Sequence, residues 1–288
     1  MMASKTSNRF VLVEALATAL YVYFAGAVVC ATGNASFDVL LPVRVVAIAL
    51  GHGAAYGIMV HWTLLVERSE GVGFLTPAVT LARATFDHAT GRRYVGRDVP
   101  LRRLCGARRG EACGCAIPGK LVRAASLIAA QLVGAVAGGL LLAGSVPGSA
   151  SAAVPLGAPF LGHGSTAESA LFFEISGGTL LAWALLVASR KRSFASRHVA
   201  VPLVAALCVA ALTLCCFPFT GGCFNPLRAL APALIAGHLP SGSWVFVVGP
   251  TLGALVGALF YALVFTNEHL LCDVCDGRTR KEGAEHGD

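Results

Sequence analysis

The chain of 288 residues is 56% hydrophobic and 13% charged, with a mean hydropathy of +0.72 and a formal net charge of +7. Charged residues make up about a quarter of an ordinary soluble domain, so this composition excludes a soluble globular protein. It indicates a helical protein that crosses a membrane several times.

Six apolar runs are long enough to cross a bilayer, which takes about 20 residues. In chain order they cover approximately residues 10–31, 44–66, 121–145, 169–189, 199–219 and 243–266. Two shorter apolar runs follow the second and fifth spans, and they begin at Thr76-Pro77 and Asn225-Pro226. A Thr or Asn cap before a Pro is a helix-start signal. Each short run is therefore predicted to be a half-helix that ends inside the membrane.

The two halves of the chain match each other in order. Asn225 follows Thr76 by 149 residues, Glu174 follows Glu14 by 160, and the glycine-rich stretch 253–257 follows 134–138 by 119. Each repeat has three spans and a half-helix, and an odd number of spans gives the repeats opposite topology. The sequence thus predicts an all-α membrane protein with a single domain over residues 1–288. It comprises a first repeat at 10–145 with a basic insertion at 88–120, a second repeat at 168–266, and a tail at 267–288.

Lys and Arg concentrate in alternate connections. The segment before the first span, the connections after the second and fourth spans, and the tail are basic, whereas 32–43, 145–168 and 237–242 contain neither residue. Because cytoplasmic segments carry the excess of Lys and Arg, we predict that both termini are cytoplasmic. The insertion contains Cys105, Cys113 and Cys115 and the tail contains Cys272 and Cys275, but these have no fixed partner spacing. We therefore predict no metal site and no cofactor.

The two helix starts resemble the paired Asn-Pro-Ala boxes of the aquaporin (major intrinsic protein) family. The first box reads Thr76-Pro77-Ala78 and the second Asn225-Pro226-Leu227, so Thr replaces the first Asn and Leu replaces the second Ala. The resemblance covers nearly the whole chain and implies six tilted helices around a narrow pore in a homotetramer. It implies passive conduction of water, with ammonia, urea or glycerol as further solutes, and exclusion of ions and protons.

The box residues have a direct chemical interpretation. A helix N-terminus carries about half a positive charge, so two such ends meeting at the midplane oppose cations and protons. Asn225 can cap its helix with the amide oxygen while its NH₂ donates to a permeant. Thr76 can cap as well but has a single hydroxyl hydrogen. We therefore expect the permeant to be oriented less strongly at Thr76.

Arg228 lies one turn into the second half-helix, at membrane depth, where a charge is a functional hypothesis by default. In the family, the matching Arg lines the narrowest constriction. His52 resembles the filter residue of plant tonoplast relatives, but that alignment needs four extra residues before Thr76, and the ungapped alternative is Tyr56. Thr213 and Gly222 take the remaining filter positions.

The buried glutamates and the motifs that the sequence lacks lead to further expectations. Glu14 and Glu174 are expected to support the re-entrant segments by accepting backbone hydrogen bonds, as their counterparts do in the family. Because the sequence has no catalytic triad, phosphate loop or nucleic-acid module, neither an enzyme nor a nucleic-acid partner is expected. Two alternatives to a channel remain at this point: a secondary transporter, since inverted repeats with broken helices occur there too, and a non-conducting structural or regulatory relative.

Overall fold

The computed structural model describes residues 2–33, 41–66, 73–89, 116–148, 154–189 and 194–265. The helices in these ranges are α1 (Met2–Gly33), α2 (Leu41–Val66), α3 (Pro77–Ala89), α4 (Ala116–Ser145), α5 (Ala167–Ala188), α6 (Phe194–Thr220), α7 (Pro226–Ile235) and α8 (Val245–Phe265). All except α3 and α7 are long and apolar enough to cross a membrane. The predicted six spans and two half-helices are therefore confirmed. The cysteines of the insertion and the tail lie outside the described residues.

Polarity is distributed as a bilayer requires. Large apolar side chains such as Leu12, Phe172 and Leu263 are exposed on the spans, where lipid would cover them. The interior instead holds a set of fully buried polar side chains: Glu14, Thr18, His52, Thr63, Thr76, Thr80, Gln131, Glu174, Thr213, Thr220, Asn225 and Arg228. Buried polar groups in a membrane protein must find partners or line a cavity, so this interior set marks where function lies.

Small residues bring the spans of each repeat together in the same way. In the first repeat, Gly134 and Gly138 of α4 lie against backbone carbonyls of α1, and a Cβ at either position would collide with them. In the second repeat, Gly253 and Gly257 of α8 lie against carbonyls of α5 in the same manner. Glycines at this four-residue spacing allow helix backbones to approach closely in lipid. The predicted match between the two glycine-rich stretches is therefore a match in packing as well.

Each half-helix packs against the third span of the other repeat. Ala78 and Ala82 of α3 pack among alanines of α8, which belongs to the second repeat. On the opposite side, Leu227 of α7 packs with Ala135 of α4, which belongs to the first. The two repeats therefore interlock, and their crossing brings the N-terminal ends of α3 and α7 together in the interior.

Candidate functional site

A buried carboxylate holds the chain just before the first half-helix. Glu14 of α1 accepts hydrogen bonds from the backbone N–H of Phe74 at 2.8 Å and of Leu75 at 3.2 Å. Gln131 of α4 donates its side-chain amide to the same carboxylate at 3.0 Å. Leu75 has a φ of 52°, a left-handed conformation that a bulky residue rarely adopts. The carboxylate thus holds an unfavourable backbone turn that aims the chain into α3.

The second repeat builds the same clamp. Glu174 of α5 accepts from the backbone N–H of Cys223 at 3.3 Å and of Phe224 at 2.8 Å. Phe224 has a φ of 51°, close to the value at its counterpart Leu75. The structure therefore places Glu14 and Glu174 where the sequence predicts them, each accepting two consecutive backbone N–H groups ahead of a half-helix.

Asn225 performs two tasks at the start of α7. Its side-chain oxygen accepts from the backbone N–H of Leu227 at 3.0 Å and of Arg228 at 3.4 Å, which caps the helix. Its Nδ2 donates to the carbonyl of Leu75 at 2.9 Å, in the segment that leads into α3. One side chain therefore caps the second half-helix and ties it to the entrance of the first.

Thr76 differs from Asn225 although it occupies the equivalent position. Its Oγ1 is buried and has no hydrogen-bond partner among the described residues. The backbone carbonyl of Thr76 accepts from the N–H and the hydroxyl of Thr80, both at 3.1 Å, but this is ordinary helix bonding and not a side-chain cap. The expectation that the Thr76 hydroxyl caps α3 is therefore wrong, because the hydroxyl takes no backbone N–H.

Arg228 contacts His52, His52 contacts Thr213, and with Gly222 these residues form the charged ring. Arg228 is 1% exposed, and its Nη2 lies 3.3 Å from His52 Nε2 and donates to the Gly157 carbonyl at 3.4 Å. His52 Nε2 also lies 3.0 Å from the Ala25 carbonyl, while its Nδ1 lies 3.4 Å from Thr213 Oγ1. In the neutral tautomer with Nε2–H, His52 donates to the Ala25 carbonyl and its Nδ1 accepts from the Thr213 hydroxyl. Nε2 then has no lone pair for Arg228 Nη2, so the guanidinium lies against His52 without a hydrogen bond to it.

The remaining filter positions are also located. Gly222 lies beside Thr213, with its φ at +56° and the position of a Cβ only 3.0 Å from Thr213 Cα. Tyr56, the ungapped alternative to His52, donates its hydroxyl to the Phe74 carbonyl at 3.1 Å instead of contacting Arg228. The structure thus brings His52, and not Tyr56, beside Arg228.

Three features of this site have no counterpart in the sequence interpretation. The Gly157 carbonyl that accepts from Arg228 belongs to a short 3-10 turn at Pro155–Gly157. A Gly after a Pro in a connection signals a turn, but it does not reveal which side chain the turn contacts. The bond from Gln131 to Glu14 and the bond from Asn225 to Leu75 join distant segments, and no local pattern marks such pairs.

Six spans that surround two half-helices, joined near their N-terminal ends by the bond from Asn225 to Leu75 and accompanied by a buried arginine, define a polytopic helical membrane protein. Residues 111–261, just over half of the chain, match the major intrinsic protein family. Over 259 residues, the chain is 30% identical to aquaporin-2 of Bos taurus, covering 89% of this chain and 79% of that protein. It is also 30% identical to aquaporin-5 of Ovis aries over 266 residues, covering 91% and 83%.

A solved structure shares the fold. The aquaglyceroporin from Plasmodium falciparum superposes with a TM-score of 0.64 and 18% identity, covering 94% of this chain and 99% of that one. These matches confirm the resemblance that the two boxes carry. The chain belongs to the major intrinsic protein family.

Proposed function

We propose that the protein is a passive channel for water and small uncharged solutes such as ammonia, urea or glycerol. The observation that carries this proposal is the state of Arg228. Its Nε and Nη1 are buried and have no protein partner among the described residues, although its Nη2 is held in place by the Gly157 carbonyl. A fixed guanidinium with free donors in the interior is ready to bind an oxygen-bearing permeant.

The same geometry accounts for the exclusion of ions and protons. Arg228 contributes a full positive charge, and the N-terminal ends of α3 and α7 contribute partial positive charges close to it. A cation that enters the ring meets all of these charges, and it also loses hydration in a narrow passage. Water needs only hydrogen-bond partners, which the site supplies. Uncharged solutes are therefore favoured over ions by electrostatics as well as by size.

The buried carboxylates argue for a channel over a coupled transporter. Both oxygens of Glu14 and both oxygens of Glu174 are engaged by backbone N–H groups of the re-entrant segments. A coupling site needs an ionisable group that faces the substrate pathway and exchanges its ion. These two carboxylates are used to hold the backbone, so they do not supply such a group.

Orientation and assembly belong to the same proposal. The distribution of Lys and Arg along the sequence supports cytoplasmic termini. With that orientation, the proposed position of the ring of His52, Thr213, Gly222 and Arg228 is the outer half of the membrane. The apolar surface exposed on the spans supports contact with lipid and with neighbouring copies in a homotetramer. Channel chemistry of this kind requires no cofactor and no covalent step.

Stopped-flow light scattering of reconstituted vesicles tests the proposed function. After an osmotic step, vesicles that contain the protein should shrink faster than empty vesicles. The solute flux should rise linearly with the gradient and ignore imposed Na⁺ and H⁺ gradients. A pH-sensitive dye trapped inside should show no added proton leak. Shrinkage at the rate of empty vesicles, or a flux that follows an ion gradient, would overturn the proposal.

A further inference from the structure

One face of α2 runs from the charged ring to the first re-entrant segment. His52 and Tyr56 are four residues apart, so they project from the same side of the helix one turn apart. Further along this helix, Thr63 packs so tightly against Gly73 that a Cβ there would collide with the Thr63 hydroxyl. The residue between these two contacts, Tyr56, therefore stands between the ring and the segment that enters α3.

Tyr56 connects α2 directly to the segment that leads into α3. Its hydroxyl donates to the Phe74 carbonyl at 3.1 Å, and its side chain is 1% exposed. The ring of Tyr21 from α1 packs edge-on against it, with centroids 5.1 Å apart and planes at 83°. A hydroxyl at hydrogen-bonding distance from a carbonyl leaves no space for a water molecule between them.

A small cavity adjoins Phe74, the residue whose carbonyl accepts from Tyr56. It is lined by Phe74 together with Val79 and Arg83 of α3 and with Leu185 and Ser189 at the end of α5. Val79 is the counterpart of Arg228 in the first repeat, because both follow the capping position of their half-helix by three residues. The inverted repeat therefore relates the cavity to the ring across the junction of the half-helices, and Phe74 is where the cavity meets Tyr56.

We propose that Tyr56 forms a second constriction of the conduit, separate from the ring, at which its hydroxyl and a permeating water molecule compete for the Phe74 carbonyl. This inference rests on the proposed channel function and assigns to one side chain the rate at which water passes. A carbonyl of irregular backbone at membrane depth is a natural acceptor for a permeant. Here a protein hydroxyl takes that place, and it must move aside for each transit.

The two constrictions then have different tasks. The ring binds a permeant through unpaired guanidinium donors and opposes cations, so it determines which solutes enter. The Tyr56 bridge carries no charge and offers a single hydrogen bond, so it limits the flux of water, whereas the flux of a larger solute such as glycerol is limited by the ring. Removing only the hydroxyl should change the rate of water passage and leave the selectivity of the ring as it is.

Two substitutions of Tyr56 and one matched control test this assignment. Tyr56→Phe removes the hydrogen bond but keeps the aromatic side chain, and Tyr56→Leu removes the aromatic bulk as well. Tyr23→Phe removes a hydroxyl from a partly buried tyrosine on α1 that contacts Phe24. Each variant is reconstituted at known density after its size-exclusion profile and melting temperature are compared with those of the wild type. Water permeability per channel and glycerol uptake are then measured by stopped flow.

Water permeability of Tyr56→Phe should rise about two- to tenfold, the range expected when one net hydrogen bond no longer favours the closed arrangement. Tyr56→Leu should raise it further, Tyr23→Phe should match the wild type, and glycerol uptake by Tyr56→Phe should not change. If the bond merely stabilises the fold, its removal in Tyr56→Phe would lower the melting temperature without increasing permeability.

The outcomes separate this inference from the proposed function. Wild-type vesicles that conduct water at the same rate as both Tyr56 variants would overturn the second constriction and leave the channel intact. Vesicles of every variant that shrink no faster than empty ones would overturn both. A rise in glycerol uptake for Tyr56→Phe that equals the rise in water would also count against the inference, because it would make Tyr56 part of the filter.

Discussion

The two half-helix entrances share their supporting parts and differ in the parts that face the interior. Both are held by a buried carboxylate that accepts from two consecutive backbone N–H groups, and both have a bulky residue at a φ close to 50° just before the cap. At the cap itself, Asn225 bonds in three directions, whereas the Thr76 hydroxyl has no partner among the described residues. Three residues further on, the second repeat has Arg228 and the first has Val79.

This difference shows which features the repeat requires. The clamp is a condition for making a helix begin inside a membrane, where unpaired backbone groups are costly, so both repeats contain it. The cap side chain and the charge are not needed for a half-helix to form, since α3 forms without either. Solute selectivity can therefore reside in the second repeat, while the first repeat supplies a helix end and a smaller residue at the matching position.

The largest expected effect tests the shared part. Glu14→Ala and Glu174→Ala each leave two buried backbone N–H groups without their carboxylate. Hydrogen bonds to a charged group are worth about 1.5–3 kcal/mol each, so each substitution should lower stability by about 3–6 kcal/mol. Thermal unfolding in detergent should show a melting temperature lower by about 10 °C or more, or a loss of monodisperse protein. Glu14→Ala should be the more severe, because Gln131 also loses its partner.

The control for this pair is Glu168→Gln, which changes an exposed carboxylate in the first turn of α5. It should leave the melting temperature within about 2 °C of the wild type, as expected for a surface substitution. If only one of the two buried glutamates proved necessary, the equivalence of the two entrances would be broken, and the clamp would be a property of one repeat.

The next effect tests the charge that only the second repeat has. Arg228→Val gives the second half-helix the residue that the first has at the matching position. Without the guanidinium, the ring is wider and less positive, so urea and glycerol uptake should rise several-fold and a cation leak should appear. Vesicle swelling in each solute and a trapped cation-sensitive dye measure the two changes.

Val79→Ala is the matched substitution in the first repeat. It enlarges the cavity beside α3 but removes no charge, and it should leave the water-to-glycerol ratio unchanged. Equal solute selectivity in Arg228→Val and the wild type would contradict the role of Arg228 in the ring. A loss of selectivity in Val79→Ala would instead show that the first repeat contains the filter, which contradicts the proposal.

The sequence allows the helices and both entrances to be predicted for a physical reason. Spans and half-helices follow from apolar length and from a polar cap before Pro, which are local properties of Thr76-Pro77 and Asn225-Pro226. The clamp partners are predictable from the repeat, because a carboxylate in an apolar span needs partners and occurs twice in register. The fold was therefore recoverable from patterns that lie within one segment or recur between the halves.

The contacts of the ring are less accessible to such reasoning. Whether His52 or Tyr56 stands beside Arg228 depends on the length of the connection between α2 and α3, and a single turn of helix exchanges one for the other. The failure of Thr76 to cap α3 depends on where its side-chain oxygen lies relative to the backbone N–H groups, and composition carries no information about that position. The bridge from Tyr56 to Phe74 joins two elements whose distance depends on the packing of α1, α2 and α6.

The smallest effect concerns the two caps, which can be exchanged. Asn225→Thr removes an amide that bonds to two helix N–H groups and to the Leu75 carbonyl, so it should lower stability by about 1–2 kcal/mol and the melting temperature by about 2–8 °C. Thr76→Asn introduces a side chain with both a cap acceptor and an NH₂ donor, so it should raise the melting temperature by a few degrees and the water permeability per channel modestly.

Each of these substitutions gives one half-helix entrance the capping residue of the other. The double variant Thr76→Asn with Asn225→Thr keeps one capping Asn and moves it from α7 to α3. If cap chemistry alone controlled stability, the double variant would melt like the wild type. We expect the double variant to melt at a lower temperature than the wild type. Asn225 also links α7 to the entrance of α3 through the Leu75 carbonyl, and an Asn at position 76 does not replace that bond. A double variant as stable as the wild type would show that the bond between Asn225 and Leu75 contributes nothing beyond the cap.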